Sequence, residues 1–263
     1  MNHNKPIERD GQSATHIFDN RSLAVDYRNL SSLLTKGMRI LDVGCGTGAI
    51  SKDIAQIVGP TGRVIGIDNT EKFIASGRQS YGAVNNLELL HQDFFAYHSD
   101  IQFDLIVSAR VLQWLSNPVD ALVKMREMLS PTGQVSILDY NHADLEWTPD
   151  PPKSMQEFYD IFLKWRADAG MHNRIAEELS GMMEEAGFHS IEVLNSDEYY
   201  DRSRKDFLFK VGIWSKVASS TQMVEEGYLD DELRLQAIEE YTAWVQSEAV
   251  SMTMKLNEVR GRK

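Results

Sequence analysis

Along the first 145 residues, short apolar runs alternate with longer amphipathic stretches. MRILDV, RVIGID, LELLHQD, FDLIVSA and SPTGQVSILDYN each read as a strand. Residues 48–58, 70–80 and 118–129 between them read as helices. Strands alternating with helices of this length predict a parallel sheet covered on both faces. Ahead of the first strand, Ile17, Phe18, Leu23, Tyr27, Leu30 and Leu34 are spaced for one amphipathic helix or two short ones. Residues 1–13 are polar.

The rhythm changes after residue 145. TPDPP reads as a linker. Met155, Phe158, Phe162 and Trp165 fall at helical spacing, and RIAEELSGMMEEAGF is a second helix stopped by Gly187. HSIEVLNSDE is a sixth strand, about fifty residues of helical pattern follow, and AVSMTMKLNEVRGRK closes the chain as an alternating strand. The division expected is an N-terminal lid over 1–35, a ligand-binding core over 36–145, and the rest of the sheet over 146–263. That last part carries strands near 189–195 and 250–259 and helical cap insertions near 146–173 and 197–249.

Composition narrows the classes. The 263 residues are 42% hydrophobic and 25% charged, an ordinary globular balance. A net charge of -12 removes the usual attraction for nucleic acid and favours a small, neutral or cationic ligand. With one cysteine no internal disulfide forms, no apolar run reaches the roughly 18 residues of a membrane span, and MNHNKPIERDGQ lacks the apolar core of a signal peptide. The expectation is a soluble cytoplasmic protein without membrane contact. No His, Cys or carboxylate grouping has metal-ligand spacing. Oligomeric state is not legible in the sequence.

The chemistry concentrates in RILDVGCGTGAI, residues 39–50, where a buried strand ends in Asp42 and glycines follow at 44, 46 and 48. Glycines at the carboxyl end of a central strand let the backbone approach a ligand. GCGTGA also satisfies the dinucleotide pattern G-x-G-x-x-G/A, which keeps a nicotinamide-dependent oxidoreductase in view. A carboxylate near the end of a buried strand is costly without donors or a cation, and would repel a pyrophosphate. Asp42 therefore favours a ligand with a cationic amino acid end.

ILDVGCGTG resembles motif I of the class I S-adenosylmethionine-dependent methyltransferases. That resemblance implies a doubly wound α/β fold: seven strands, mostly parallel, the last antiparallel. It implies S-adenosyl-L-methionine as cofactor, held by Asp42, Gly44, Cys45, Gly46 and Gly48. Asp68 with Asn69 matches the acid that binds the ribose hydroxyls, Asp93-Phe94 the positions that read adenine, and Ala109 the end of the fourth strand. MREMLSPTGQVSIL and MMEEAGFHSIEV resemble later segments of the pattern. Within the family the likeness is to the bacterial small-molecule branch of trans-aconitate and ubiquinone-pathway methyltransferases. Gln113-Trp114 departs from relatives that have histidine before an aromatic. The implied reaction is in-line attack of an acceptor oxygen, nitrogen or carbon on the methyl carbon, catalysed mainly by alignment.

Each residue also has a plainer role. Asp42 could cap local amides, Asp68 could cap the second helix in competition with Thr70, Asp93 could be a turn residue, and Cys45 suits packing better than nucleophilic attack. The cap insertions leave from elements bordering the carboxyl ends of the strands, so they are expected to enclose a small-molecule methyl acceptor. Its expected lining is Tyr27, Trp147, His172, Arg174, Tyr199 and Tyr200, with Arg174 forking onto a substrate carboxylate and His142 as general base. RNA or protein methylation is the alternative within the family.

Overall fold

Each apolar run becomes a strand whose alternate side chains enter different cores. In β1 (Arg39–Val43), Leu41 and Val43 join one core and Ile40 another. Burial on both faces explains why this strand reads as a continuous apolar run. The computed structural model describes residues 21–263; Ile17, Phe18 and the polar start lie outside the described residues. A short helix α1 (Leu23–Asp26) and a 3-10 turn over Arg28–Leu33 lead into β1. Then come α2 (Ala49–Val58), β2 (Arg63–Asp68), α3 (Glu71–Tyr81), β3 (Leu87–His91), β4 (Phe103–Ala109) and α4 (Pro118–Met128). After them lie β5 (Leu129–Thr148), α5 (Lys153–Asp168), α6 (Ile175–Glu185) and β6 (His189–Asn195).

The sheet runs β3-β2-β1-β4-β5-β8-β6, where β8 (Ser251–Arg262) is the closing strand. β1 to β5 pair in parallel, and β8 slots antiparallel between β5 and β6. These are the seven strands the sequence implies. An eighth, β7 (Glu198–Asp201), lies inside the segment expected to be helical and pairs Tyr199 with Thr253 of β8. Its physical reason is the length of β8: β6 pairs only its Asn257–Arg262 end, and β7 pairs the backbone groups of Ser251–Met254. Because the order reverses between β1 and β4, their carboxyl ends border a crevice, the ordinary ligand position in such sheets.

The segments 146–173 and 197–249 fold onto one another. α5 packs on α10 (Asp231–Ser247), with the short helices α7 (Phe207–Val211), α8 (Ile213–Ala218) and α9 (Gln222–Glu225) between β7 and α10. Phe158, Phe162, Trp165, Trp214, Tyr241 and Trp244 form the centre of this second core. The bulged upper part of β5, between Asn141 and Glu146, carries the sheet into it. No helix among the described residues is long and apolar enough to cross a membrane.

α3 presses directly on the glycine loop. A Cβ at Gly77 would lie 2.1 Å from the Thr47 carbonyl oxygen and 2.8 Å from Leu89. In a helix Gly→Ala normally stabilises by about 1 kcal/mol. Here the collision is with backbone, so Gly77→Ala is expected to destabilise by about 1–3 kcal/mol. Urea unfolding checks this; an unchanged or higher midpoint would mean that the helix–loop contact is looser than described.

Candidate active site

At the carboxyl end of β1 the chain turns on left-handed backbone, with φ of 74°, 59° and 79° at Gly44, Gly46 and Gly48. A side chain at Gly44 would also strike Val111, 2.3 Å from its Cγ2. Glycine is therefore required twice at this position, for backbone angle and for space. The loop edges a small cleft lined by Asp42, Gly44, Cys45, Ala49 and Ile50 together with Arg21, Tyr27 and Ala109. The Tyr27 hydroxyl donates to the Ser136 carbonyl at 2.6 Å, so its ring forms the wall while its polar end is engaged below. Burial pushes the Cys45 thiol well above its ordinary pKa, which makes it packing rather than a nucleophile.

Asp42 points toward α2, where Ser51 Oγ donates to it at 2.6 Å. It is 5% exposed. Burial, and secondarily the nearby Asp68 charge, raise its pKa to about 6. Asp68, at the tip of β2, accepts from Gly46 N and from Thr70 N, both at 2.9 Å. It thus ties the glycine loop to the start of α3, and its remaining lone pairs stay available. Asn69 is exposed beside it.

On the β5 side lies a buried polar network. His142 is 6% exposed. Its Nε2 lies 2.6 Å from Gln113 Oε1, and Arg166 donates to the same oxygen at 3.0 Å. An oxygen that receives the Arg166 donor acts as acceptor to His142 also, so Nε2 carries the proton and Nδ1 is the bare nitrogen. Nδ1 is buried without a hydrogen-bond partner among the described residues, as is Trp214 Nε1. Burial and then Arg166 lower the His142 pKa well below its ordinary 6.5. Tyr140, Phe162 and Trp214 surround the ring at centroid distances of 5.2, 6.1 and 6.1 Å. Trp147 packs edge-on to Tyr159 and Trp214 and donates to Tyr241.

Other expected lining residues lie elsewhere. Arg174 is half exposed and occupied by Asp144 and Glu177 at 3.1 and 3.2 Å, so it staples the outside of α6 instead of facing a substrate. His172 is turned toward Glu178 at 3.2 Å. Strand alternation separates the tyrosines of β7: Tyr200 is buried and donates to Glu198, while Tyr199 is 54% exposed. Asp93 is exposed and accepts from Ala96 N at 3.1 Å, capping its own turn. Phe94 packs against the main core. Sequence reasoning missed Arg21, Arg110, Arg166 and Glu198, whose positions depend on contacts between distant segments. One local sign was Gln113, standing where a histidine was the family habit.

Known proteins share the family and the fold. A family model described as "Methyltransferase domain" matches residues 34–187. A demethylmenaquinone methyltransferase of Staphylococcus aureus is 30% identical over 174 residues, covering 60% of this chain and 70% of the relative. Among solved structures, Haemonchus contortus phosphoethanolamine N-methyltransferase 2 in complex with S-adenosyl-L-methionine aligns with TM-score 0.57 and 16% identity, over 90% of this chain and 52% of that one. The [4+2]-cyclase SpnF aligns with TM-score 0.53 and 18% identity, over 100% and 87%. The last two establish the shared fold alone, and one carries a different reaction, so fold by itself does not fix chemistry.

Proposed function

The chain belongs to the S-adenosylmethionine-dependent methyltransferases, and from that premise we propose that it methylates a small molecule bearing an acidic hydroxyl, a phenol or an enol. The relative named demethylmenaquinone methyltransferase acts, by that name, on a small molecule too. The observation that carries the reading is the bare Nδ1 of His142, buried at the aromatic end of the sheet under the cap.

The residues present fit the cofactor. Asp42 is a desolvated carboxylate lining a cleft that Gly44 leaves clear of a side chain, which suits a ligand with a cationic end. Asp42 would hold the ammonium, the glycine loop the amino acid backbone, Asp68 the ribose hydroxyls, and Asp93-Phe94 the adenine edge. S-adenosylmethionine, when bound, supplies an electrophilic methyl group on a sulfonium. The chain's own work is then to align an acceptor and to take its proton. His142 is neutral near pH 7 and can receive that proton on Nδ1, while Gln113 and Arg166 hold the tautomer. A base beside a cation is weak, which matches an acidic hydroxyl better than an alkyl alcohol. Phe162 and Trp214 exclude water and offer an apolar wall to the acceptor's body.

The test is transfer of labelled methyl from S-adenosylmethionine to a panel of phenols, enols, alkyl alcohols, a peptide mixture and RNA. Label in phenols or enols is expected. Label confined to peptide or RNA, or to alkyl alcohols, would overturn the assignment.

Asp68→Ala removes the acceptor for two hydroxyl donors and also frees Gly46 N. Hydrogen bonds to charged groups contribute about 1.5–3 kcal/mol each. S-adenosylhomocysteine affinity should therefore fall at least roughly tenfold with the fold intact. Unchanged calorimetric affinity would reduce Asp68 to a tie between loop and helix.

A further inference from the structure

Ala109, the last residue of β4, lines the cleft, and Arg110 follows it with a left-handed φ of 64°. A non-glycine residue in that region is uncommon, and such strain persists where surrounding contacts impose it. The contacts here are specific. Arg110 Nε donates to Tyr140 Oη at 2.7 Å, and Nη2 is ion-paired with Glu198 of β7. Its remaining amine, Nη1, is buried with no hydrogen-bond partner among the described residues, in a side chain 4% exposed. A buried guanidinium donor left unpaired costs free energy that a ligand would recover.

Charge points the same way. Arg21 lies close enough that burial first, and then Arg110, lower its pKa. Lys210 reaches Asp26 at 3.4 Å on the other side. Burial opposes the Arg110 charge, but Tyr140, Glu198 and Asp26 together outweigh it and raise its pKa, so the guanidinium stays charged while Nη1 is bare among the described residues. The place is beside the aromatic wall: the Arg110 guanidinium lies 5.3 Å from the centre of the Tyr140 ring, whose other neighbour is His142.

We propose that Arg110 is the anion anchor of the acceptor pocket and binds a carboxylate of the methyl acceptor through Nη1. This rests on the methyltransferase reading and names the acceptor class more narrowly, as an aryl hydroxy acid: the carboxylate on Arg110, the ring against the aromatic wall, the hydroxyl toward His142. Nε and Nη2 are already engaged, so the one free donor group matches a single carboxylate better than a phosphate dianion. Tyr140, one of the two groups that fix Arg110, also packs against His142, which puts the anchor beside the proposed base.

The probes are 3-(4-hydroxyphenyl)propionate and its neutral amide, titrated into protein saturated with S-adenosylhomocysteine and followed by tryptophan fluorescence. Wild type should bind the acid at least roughly tenfold more tightly than the amide, as a charge-assisted hydrogen bond to a buried guanidinium requires. Arg110→Gln should bring acid and amide within about twofold while S-adenosylhomocysteine affinity holds, the loss being that one contact. Arg110→Lys keeps the charge but gives up the bonds by which Nε and Nη2 hold the group to Tyr140 and Glu198, and should retain only part of the preference. Equal wild-type affinity for both probes, or no binding of either, overturns the anchor even if Arg110→Gln fails to fold. So does a preference that survives Arg110→Gln or is undiminished in Arg110→Lys. Lost S-adenosylhomocysteine affinity in Arg110→Gln with the acid preference intact would assign the site to the cofactor's own carboxylate instead. Failure of wild type to bind S-adenosylhomocysteine is a separate result and would count against the methyltransferase reading itself.

Discussion

His142→Gln is expected to lower kcat by about two to four orders of magnitude, the usual contribution of a positioned base. The glutamine amide can still donate to Gln113 Oε1, so the network that His142 Nε2 closes is kept while the bare ring nitrogen is lost. S-adenosylhomocysteine affinity should not change. The pH profile separates a base from a packing residue. Burial and Arg166 hold the His142 pKa well below 6.5, so the neutral, proton-accepting form persists as pH falls through 6.5. Wild-type kcat should stay level across that point, and a drop there would exclude His142 as the base. The same shift has a stability sign. Below pH 6.5 the unfolded chain takes up the histidine proton before the folded one does, so folding stability declines as pH falls from about 6.5. His142→Gln should lose that dependence.

Asp42→Asn should strengthen the free protein and weaken its cofactor binding. The Asp42 pKa rises from 3.8 unfolded to about 6 folded, roughly two units, or about 3 kcal/mol against folding when the group is ionised. For a raised carboxylate the sign is the reverse of His142. Its favourable contribution is present below the unfolded value near 4 and is lost as pH rises through 6. Asparagine stays neutral, so the stabilisation should be largest at pH 8, up to about 3 kcal/mol, and vanish below about pH 4. Urea titrations at the two pH values measure this. Affinity for S-adenosylhomocysteine should fall about ten- to a hundredfold at pH 8, because a charged partner for the ammonium is gone. In wild type that affinity should weaken as pH drops below 6, since the carboxylate must lose its proton to pair; in Asp42→Asn it should not. A variant equally stable at both pH values and binding as tightly as wild type would leave Asp42 as a local capping residue.

The two sides of the candidate site were unequally legible. The cofactor side is built from short-range features: RILDVGCGTG, Asp68 at the tip of the next strand, and three glycines whose backbone angles no other residue adopts readily. Local sequence holds all of that, because a strand, its turn and the following helix are contiguous. Continuous apolar runs likewise announced the strands that bury both faces. β7 was hidden, since four residues carry too little periodicity and their pairing depends on the length of β8, a strand distant in sequence. The acceptor side was misjudged for the same reason. Arg174 and Tyr199 looked suitable by chemistry, yet helix facing and strand alternation turn them outward. Arg110, Glu198 and Arg166 looked ordinary, and long-range packing sets Arg110 on Glu198 and Arg166 on Gln113. Sequence by itself determined the fold class, the family and the turn that would receive the cofactor, because those rest on periodicity and on backbone requirements of single residues. Tertiary structure decided which charges are desolvated and which nitrogen of His142 is bare, because burial and tautomer are set by partners that the chain brings from far away.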